Sequence, residues 1–440
     1  MPEPVRRVLV VSYVFPPMVA GGAPRWAQLC TYLPEFDWLP TVLTAEVQRA
    51  DAVDTEAIDG LPRSVRVVRA RCPLAGAGPR GAVNPGSGLR WAAREGMRWV
   101  SRMAFVPDRQ VLWEPFAMHI GHQALREVRY DAVVATHGPG TDLVVGRRLA
   151  KKHGLPLVVD FRDLWGDLPT ADFPTRLHRR HAERLERACA GEARKIVAVS
   201  VRMADHLARR YHRLGDDVVS IPNGFDPADA LRVNDTREAG QRPFRLCYVG
   251  SVYGAYDFSG FFDAMATLVQ EGRATASTLR VHFVGNLSSE MPKRYGLSEL
   301  FEIEPHVPHG RVFDVLNRAD AHLVVENPSY WSEFGYPAKV FDYLLTGKPV
   351  LGLVEPGGNC GRLITEAGVG VIARPDDRDG IVRALLSLLA RKGELPKRID
   401  VEQPPLVAHN RRHLARRLAD VLDSASRGNG GPAVNGDRRG

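Results

Sequence analysis

The chain has 440 residues, 44% hydrophobic and 25% charged, with a formal net charge of +8 at pH 7, which is the composition of a soluble globular protein. That length exceeds the size at which a single core keeps growing, so two domains with a cleft between them are expected. No run reaches membrane-spanning length, and the N-terminus lacks the basic-then-apolar layout of a signal peptide, so a cytoplasmic protein is expected.

The cysteines Cys30, Cys72, Cys189, Cys247 and Cys360 are widely spaced and odd in number, which fits buried free thiols and neither a zinc cluster nor a disulfide framework. Most of the positive charge is arginine spread over many predicted helices, so no nucleic-acid partner is expected.

In chain order, Val8 to Ser12 is a β-branched strand, followed by a proline pair, the Gly21-Gly22 turn and a helix ending before Pro34. With the strand Thr41 to Thr44 it opens a doubly wound parallel sheet. Later strands are read at Val65 to Val68, Ala132 to Thr136, Leu157 to Asp160 and Ile196 to Ser200, and Ala75 to Leu89 is a Gly/Pro-rich loop. Ligands of such sheets bind beyond the carboxyl ends of the strands, so the loops there carry the candidates. Gly21 and Gly22 allow a backbone to approach a phosphate or sugar, with Arg25 one turn into the helix, although a glycine pair is also an ordinary tight turn. His137 follows one strand. Asp160, Arg162 and Asp163 end another, either as acceptor ligands or as an internal ion network.

Leu246 to Gly250 restarts the pattern, and Val281 to Gly285, Ala321 to Val325, Val350 to Val354 and Gly370 to Ile372 continue it, giving a second α/β domain. The expected division is 1–230, 243–405, a basic helix over 406–425 that returns to the first domain, and a polar tail over 426–440. The densest chemistry lies in Tyr330-WSEFGYPAKVFDYLLTGKPVLGLVEPGG-Asn359. Val340, Phe341, Leu344 and Leu345 fall at helical spacing, predicting a helix over Ala338 to Thr346 with Lys339 in its first turn. A cation at a helix start suits an anionic ligand such as a phosphate. Asp342 lies one turn on, and a Lys-Asp surface pair is the plain alternative.

That unit resembles the nucleotide-sugar site of retaining GT-B glycosyltransferases, in particular family four. Asp160-FRDLW, Ile221-PNGFD, Tyr248-VGSVYG, Val281-HFVGN and Arg318-ADAHLVVEN match in order and spacing, so the resemblance covers Arg7 to about Asp423. It implies two Rossmann-like doubly wound domains facing across a cleft, the second binding a nucleoside diphosphate sugar such as a UDP-sugar and the first an acceptor. It places His137, in the His-x-Pro position, against the donor sugar, and Asp342 on the ribose hydroxyls. The family's other acidic residue would lie eight positions before Asp342, at Phe334; Glu333, one residue off, is the substitute. The family's Arg-Lys pair after the Val-Gly strand end is absent around Ser251, itself a donor-side residue, so Lys339 and Arg25, helped by the N–H groups around Gly358 and Asn359, are the cations left for the diphosphate.

The expected activity is a retaining, metal-independent transfer of a sugar to an acceptor hydroxyl or amine, with no cofactor. Two alternatives stay open: GT-B chemistry of another kind, such as epimerisation or non-glycosidic coupling, and a non-catalytic binder of nucleotide sugars. In 89–113, Arg90, Arg94, Arg98 and Arg102 form a basic stripe beside Trp91, Trp99, Met103 and Phe105. Packed on the first domain, that helix implies a small soluble acceptor; on the inner face of a membrane it implies a lipid-linked one.

Overall fold

The computed structural model describes residues 5–427 except 19–21, 49–52, 55–57, 59, 74–102, 167–172, 237–241, 253–256, 327–329 and 398. Gly21, the loop over Ala75 to Leu89, the stripe of Arg90, Arg94, Arg98 and Arg102, and the tail beyond Arg427 lie outside these residues. The chain divides into two compact units, the first up to Ile221 and again from Leu414, the second Pro222–His413.

Unit 1 holds a parallel sheet of β1 (Arg6–Val11), β2 (Trp38–Ala45), β3 (Arg66–Ala70), β4 (Ala132–Thr136), β5 (Leu157–Phe161), β6 (Lys195–Ala198) and β7 (Val218–Ser220), in the order β3-β2-β1-β4-β5-β6-β7. Its helices are α1 (Ala23–Tyr32), α2 (Glu114–Glu127), α3 (Gly140–His153), α4 (Arg176–Glu192) and α5 (Val201–Tyr211). Val8, Leu9, Val10 and Val11 are all fully buried, as in a strand covered on both faces. Strand order reverses between β1 and β4, so the loops after these two strands flank the crevice where such sheets bind ligands.

Unit 2 repeats the order with β8 (Phe244–Gly250), β9 (Leu279–Gly285), β10 (Phe301–Glu304), β11 (Ala321–Val325), β12 (Val350–Leu353) and β13 (Gly370–Ala373), arranged β10-β9-β8-β11-β12-β13. Alternate residues serve opposite faces. Leu246, Tyr248, Leu323 and Val325 join one core with Phe261, Phe262 and Phe283, whereas Cys247 and Val324 join the other with Val340, Phe341 and Leu344. The helices used below are α6 (Ser259–Gln270), α7 (Val312–Arg318), α8 (Lys339–Leu345), α9 (Asn359–Ala367) and α10 (Arg378–Ala390). The crevice of this sheet lies between the ends of β8 and β11.

The expected fold class, two doubly wound parallel sheets, is the one observed. Two edge strands differ from the sequence reading, because β7 and β10 were not anticipated. Both are short and only partly buried, and β10 reads Phe-Glu-Ile-Glu, without the apolar run of a central strand. The helix expected over Leu406 to Ala425 is instead a short turn, Leu406–His409, followed by α11 (Arg411–Arg427). The break falls at Asn410, where the backbone bridges Phe225: Phe225 N–H donates to the His409 carbonyl at 3.0 Å and Arg411 N–H to the Phe225 carbonyl at 3.0 Å. Asn410 Oδ1 then accepts from Arg412 N–H at 3.0 Å and starts the helix anew. From Leu414 on, Leu414, Leu418 and Leu422 pack into the core of unit 1.

Helix α5 begins at Ser200, whose hydroxyl accepts from Met203 N–H at 3.1 Å. Ser200→Ala removes that cap and is expected to lower stability by about 1 kcal/mol, seen as a lower urea midpoint. An unchanged midpoint would show that the cap is dispensable.

Candidate functional site

At the crevice of unit 2 the sequence-predicted Lys339 and Asp342 stand on α8, three residues apart, yet they do not bond to each other. Lys339 Nζ lies 3.7 Å from the centroid of the Tyr248 ring. No hydrogen bond or ion pair engages it among the described residues. Burial lowers its pKa to about 7. Tyr248 is itself fixed, stacked on Phe283 at 4.4 Å and edge-on to Phe258 at 5.3 Å. Gly250, ending β8 at φ +133°, supplies the room: a Cβ there would stand 2.7 Å from Lys339 Nζ. The strand end is held by Tyr343, whose Oη accepts from Val249 N–H at 2.9 Å.

Asp342 is likewise without a hydrogen-bond partner among the described residues. Burial, then the nearby Asp229 charge, raise its pKa to about 7 against the opposing pull of Arg411. The ordinary lysine-aspartate surface pair is therefore not what the structure contains. It contains a cation and a carboxyl on one helix, neither engaged by the other.

Around them, Ser251 Oγ meets His306 Nε2 at 2.9 Å and its carbonyl accepts from Tyr248 Oη at 3.2 Å. Asn286 clamps the next residue, accepting from Val252 N–H at 2.6 Å and donating to its carbonyl at 3.1 Å. Gly358 starts α9 without a side-chain cap. The Asn359 side chain is used within the protein, donating to the carbonyls of Glu333 at 2.9 Å and Gly335 at 3.3 Å and accepting from Arg362 at 2.8 Å. Its contribution is to fix the 333–335 loop, and the exposed Glu333 is held there through its backbone.

Glu326, just past β11, escaped the sequence reading. It is 1% exposed, and neither carboxyl oxygen has a partner among the described residues. Burial raises its pKa to about 8. The signal was an acidic residue closing an apolar β-run.

In unit 1 the predicted residues fall into two groups. Asp160, 0% exposed, accepts from Arg25 at 2.8 and 3.2 Å, from Trp26 Nε1 at 2.9 Å and from Thr136 Oγ1 at 2.8 Å. Burial alone would raise its pKa, but the Arg25 charge and these hydrogen bonds hold it below the ordinary value. Arg25, 2% exposed, also donates to the Ile221 carbonyl at 2.9 Å. Asp160 is thus held in an internal ion pair, but its counter-ion is Arg25 and not the Arg162 of the expected Asp160, Arg162 and Asp163 network. This corrects the expectation that Arg25 would offer its charge to a phosphate and that Asp160 would offer its oxygens to an acceptor: a buried, paired charge is not free to do so.

Arg162 binds loops instead. It donates to the carbonyls of His137 at 2.8 Å and Gly138 at 3.0 Å, and its guanidinium fills the space where a Cβ of Gly22 or Gly138 would stand. Asp163 is raised in pKa by burial, with Arg162 opposing. His137 is 6% exposed, and its Nδ1 has no partner. Burial, then the Arg162 charge, push its pKa down to about 3, so the ring is neutral at any working pH.

Among the described residues, His282, Glu302 and Glu304 could together hold a metal ion, their ligand atoms lying within 4.8 Å of one another. They sit on β9 and β10 at the sheet edge, apart from Lys339, and Glu302 faces Arg245 at 3.5 Å. No helix among the described residues is long and apolar enough to cross a membrane.

Comparison with known proteins bears on the whole arrangement. Residues 82–229 match the family model described as Glycosyltransferase Family 4. No curated protein matches the chain in sequence. Among solved structures, sucrose-phosphate synthase from Thermosynechococcus elongatus is similar at a TM-score of 0.58 and 14% identity, over 96% of this chain and 97% of that one. WaaG, a glycosyltransferase involved in lipopolysaccharide biosynthesis, gives 0.54 and 16% over 96% of each chain. HepE from Anabaena, in complex with UDP and glucose, gives 0.51 and 15% over 96% and 98%. Two Rossmann-like sheets of the same strand order, with these likenesses, define the fold: the chain has the GT-B architecture. The likeness to Glycosyltransferase Family 4 is carried by residues 82–229.

The Glu326 carboxyl supplies a test of this crevice. Its folded pKa of about 8 lies above the ordinary 4.5. The folded state therefore holds a proton that the unfolded state gives up, and stability is lost as pH rises through that interval. Glu326→Gln cannot ionise, so it is expected to melt higher than the wild type at pH 8, with the gain shrinking toward pH 5. A variant melting no higher at pH 8 would contradict a buried, unpartnered carboxyl.

Proposed function

We propose that the protein transfers a sugar from a nucleoside diphosphate sugar, a UDP-sugar in the first instance, to an acceptor hydroxyl or amine, with retention of configuration and without a metal ion. The observation that carries this reading is the unengaged pair on α8, Lys339 and Asp342, at the crevice of unit 2. A diphosphate beside Gly250 would meet the Lys339 ammonium, and a ribose cis-diol would donate to the Asp342 carboxylate. The uncapped start of α9 at Gly358 offers further N–H groups to the phosphates. The UDP bound by the structural neighbour HepE is the reason for placing uridine first.

In the reaction proposed, the acceptor oxygen bonds to the anomeric carbon as the bond from that carbon to the β-phosphate oxygen breaks. The electron pair leaves with the nucleoside diphosphate, where Lys339 stabilises the developing charge. The acceptor proton passes to the departing phosphate. His137 is too weak a base to keep it, since its ring resists protonation down to about pH 3; it orients the hydroxyl through Nδ1. The five cysteines are all free and buried, which suits the reducing cytoplasm as the setting.

Asp342→Asn keeps the shape and removes the charge. With the free-protein pKa at about 7, the carboxylate is present at pH 8 and largely protonated at pH 6. Loss of the charge-assisted bonds is worth about 1.5–3 kcal/mol, roughly ten- to a hundredfold in UDP affinity at pH 8, and less at pH 6. Calorimetric titration with UDP decides this, and equal affinity at pH 8 would remove Asp342 from the ribose. Lys339→Ala is expected to slow transfer from UDP-glucose far more than it lowers the melting temperature; near-normal turnover would mean the diphosphate is neutralised elsewhere.

A further inference from the structure

Unit 1 contains a cavity of about 360 Å³ at the carboxyl end of its sheet, walled by Phe105, Pro107, Pro139, Trp165, Phe173 and Pro174, with His137 among its lining. Its size is near the lower end for sites that enclose a small molecule. Trp165 and His137 form one flat wall, their rings 5.6 Å apart and inclined by 30°.

The polar groups around this cavity decide what it can hold. Asp108 is engaged in capping α3, accepting from Thr141 N–H at 3.0 Å and Thr141 Oγ1 at 2.6 Å, and it also accepts from Gln110 N–H at 3.1 Å. His178 is engaged at both ring nitrogens, with Thr175 Oγ1 at 2.7 Å and the Met103 carbonyl at 3.1 Å. Gln110 has partners of its own. Two lining atoms have none, His137 Nδ1 and Arg109 Nε. At His137 a backbone group of Asp163 hydrogen-bonds the ring and favours its charged form, the behaviour of an accepting carbonyl. With the ring proton on Nε2, the unpartnered Nδ1 is an acceptor.

A sugar lodged here would bury several hydroxyls against prolines and aromatic rings, and each one left without a partner costs about 1–3 kcal/mol. An apolar ring carrying a single hydroxyl has no such difficulty. We infer that this cavity is the acceptor site and that the acceptor is a compact aromatic or alicyclic alcohol, its ring on the Trp165 wall and its hydroxyl donating to His137 Nδ1. The inference rests on the transferase reading only for the word acceptor, since the cavity's preference for such a ligand is a property of unit 1.

The test is calorimetric titration of the full chain with 2-naphthol, with methyl α-glucoside as the sugar control and UDP as a separate titrant. Saturable one-to-one binding of 2-naphthol is expected, with no binding of the glucoside. Phe173→Asp should weaken 2-naphthol at least tenfold while keeping the wild-type melting temperature; if that variant does not fold, Phe105→Ala is expected to weaken it in the same direction. Glucoside binding tighter than 2-naphthol, or 2-naphthol affinity indifferent to these substitutions, overturns the inference. If UDP binds and 2-naphthol does not, the acceptor class alone is wrong. If 2-naphthol binds at this cavity and UDP binds nowhere, the transferase reading falls and the apolar site stands.

Discussion

A lysine ammonium partly withdrawn from water beside a glycine, with an aromatic face under it and no carboxylate against it, is the interaction on which the candidate donor site depends. Removing an ammonium from water costs several kcal/mol unless another charge or a set of hydrogen bonds replaces the solvent. The cation-π contact between Lys339 and Tyr248 offsets part of that cost, and the remainder appears as a pKa lowered to about 7. The neighbouring residues serve the same placement. Phe283 and Phe258 fix the Tyr248 ring, Tyr343 holds the strand end, and the absence of a side chain at Gly250 leaves the ammonium its position. An incoming dianion would complete what the protein leaves incomplete, which is how a site can favour a charged ligand without a metal.

Unit 1 treats its charges in the opposite way. Asp160 and Arg25 neutralise each other, and Trp26 and Thr136 take up the remaining acceptor capacity of the carboxylate. Arg162 is committed to the carbonyls of the turn that carries His137. What remains for a ligand is a bare imidazole nitrogen and the Arg109 Nε in an aromatic and proline wall. The two crevices share a strand order and a position relative to it, yet one is arranged for an anion and the other for an apolar ring.

Much of this was legible in the sequence, for identifiable reasons. The central strands announced themselves because strands buried on both faces need unbroken apolar runs, as in Val8 to Val11 and Ala321 to Val325. The edge strands β7 and β10 did not, since partial exposure lets Ser220, Glu302 and Glu304 interrupt the run. Helix α8 and the presence of Lys339 and Asp342 on it followed from spacing. Their failure to pair could not, because i,i+3 neighbours usually meet and only the burial of Lys339 over Tyr248 decides otherwise. Arg25 was misjudged for the same kind of reason: its partner Asp160 lies 135 positions away and is brought to it by the sheet alone. The break at Asn410 likewise depends on a bridge to Phe225 that no local pattern encodes.

The central claim is that Lys339 meets the phosphates of the donor, and proton linkage tests it most directly. At pH 8 an ammonium with a pKa of about 7 is mostly deprotonated in the free protein, whereas Asp342 is already ionised. A diphosphate placed against Lys339 must raise its pKa, so binding should draw a proton from the buffer. UDP titrated calorimetrically at pH 8 in Tris and in HEPES, whose ionisation enthalpies differ, should show uptake of a substantial fraction of a proton per site, and Lys339→Met should show none. Binding of UDP with no proton uptake by the wild type, or with uptake undiminished in Lys339→Met, would contradict the account.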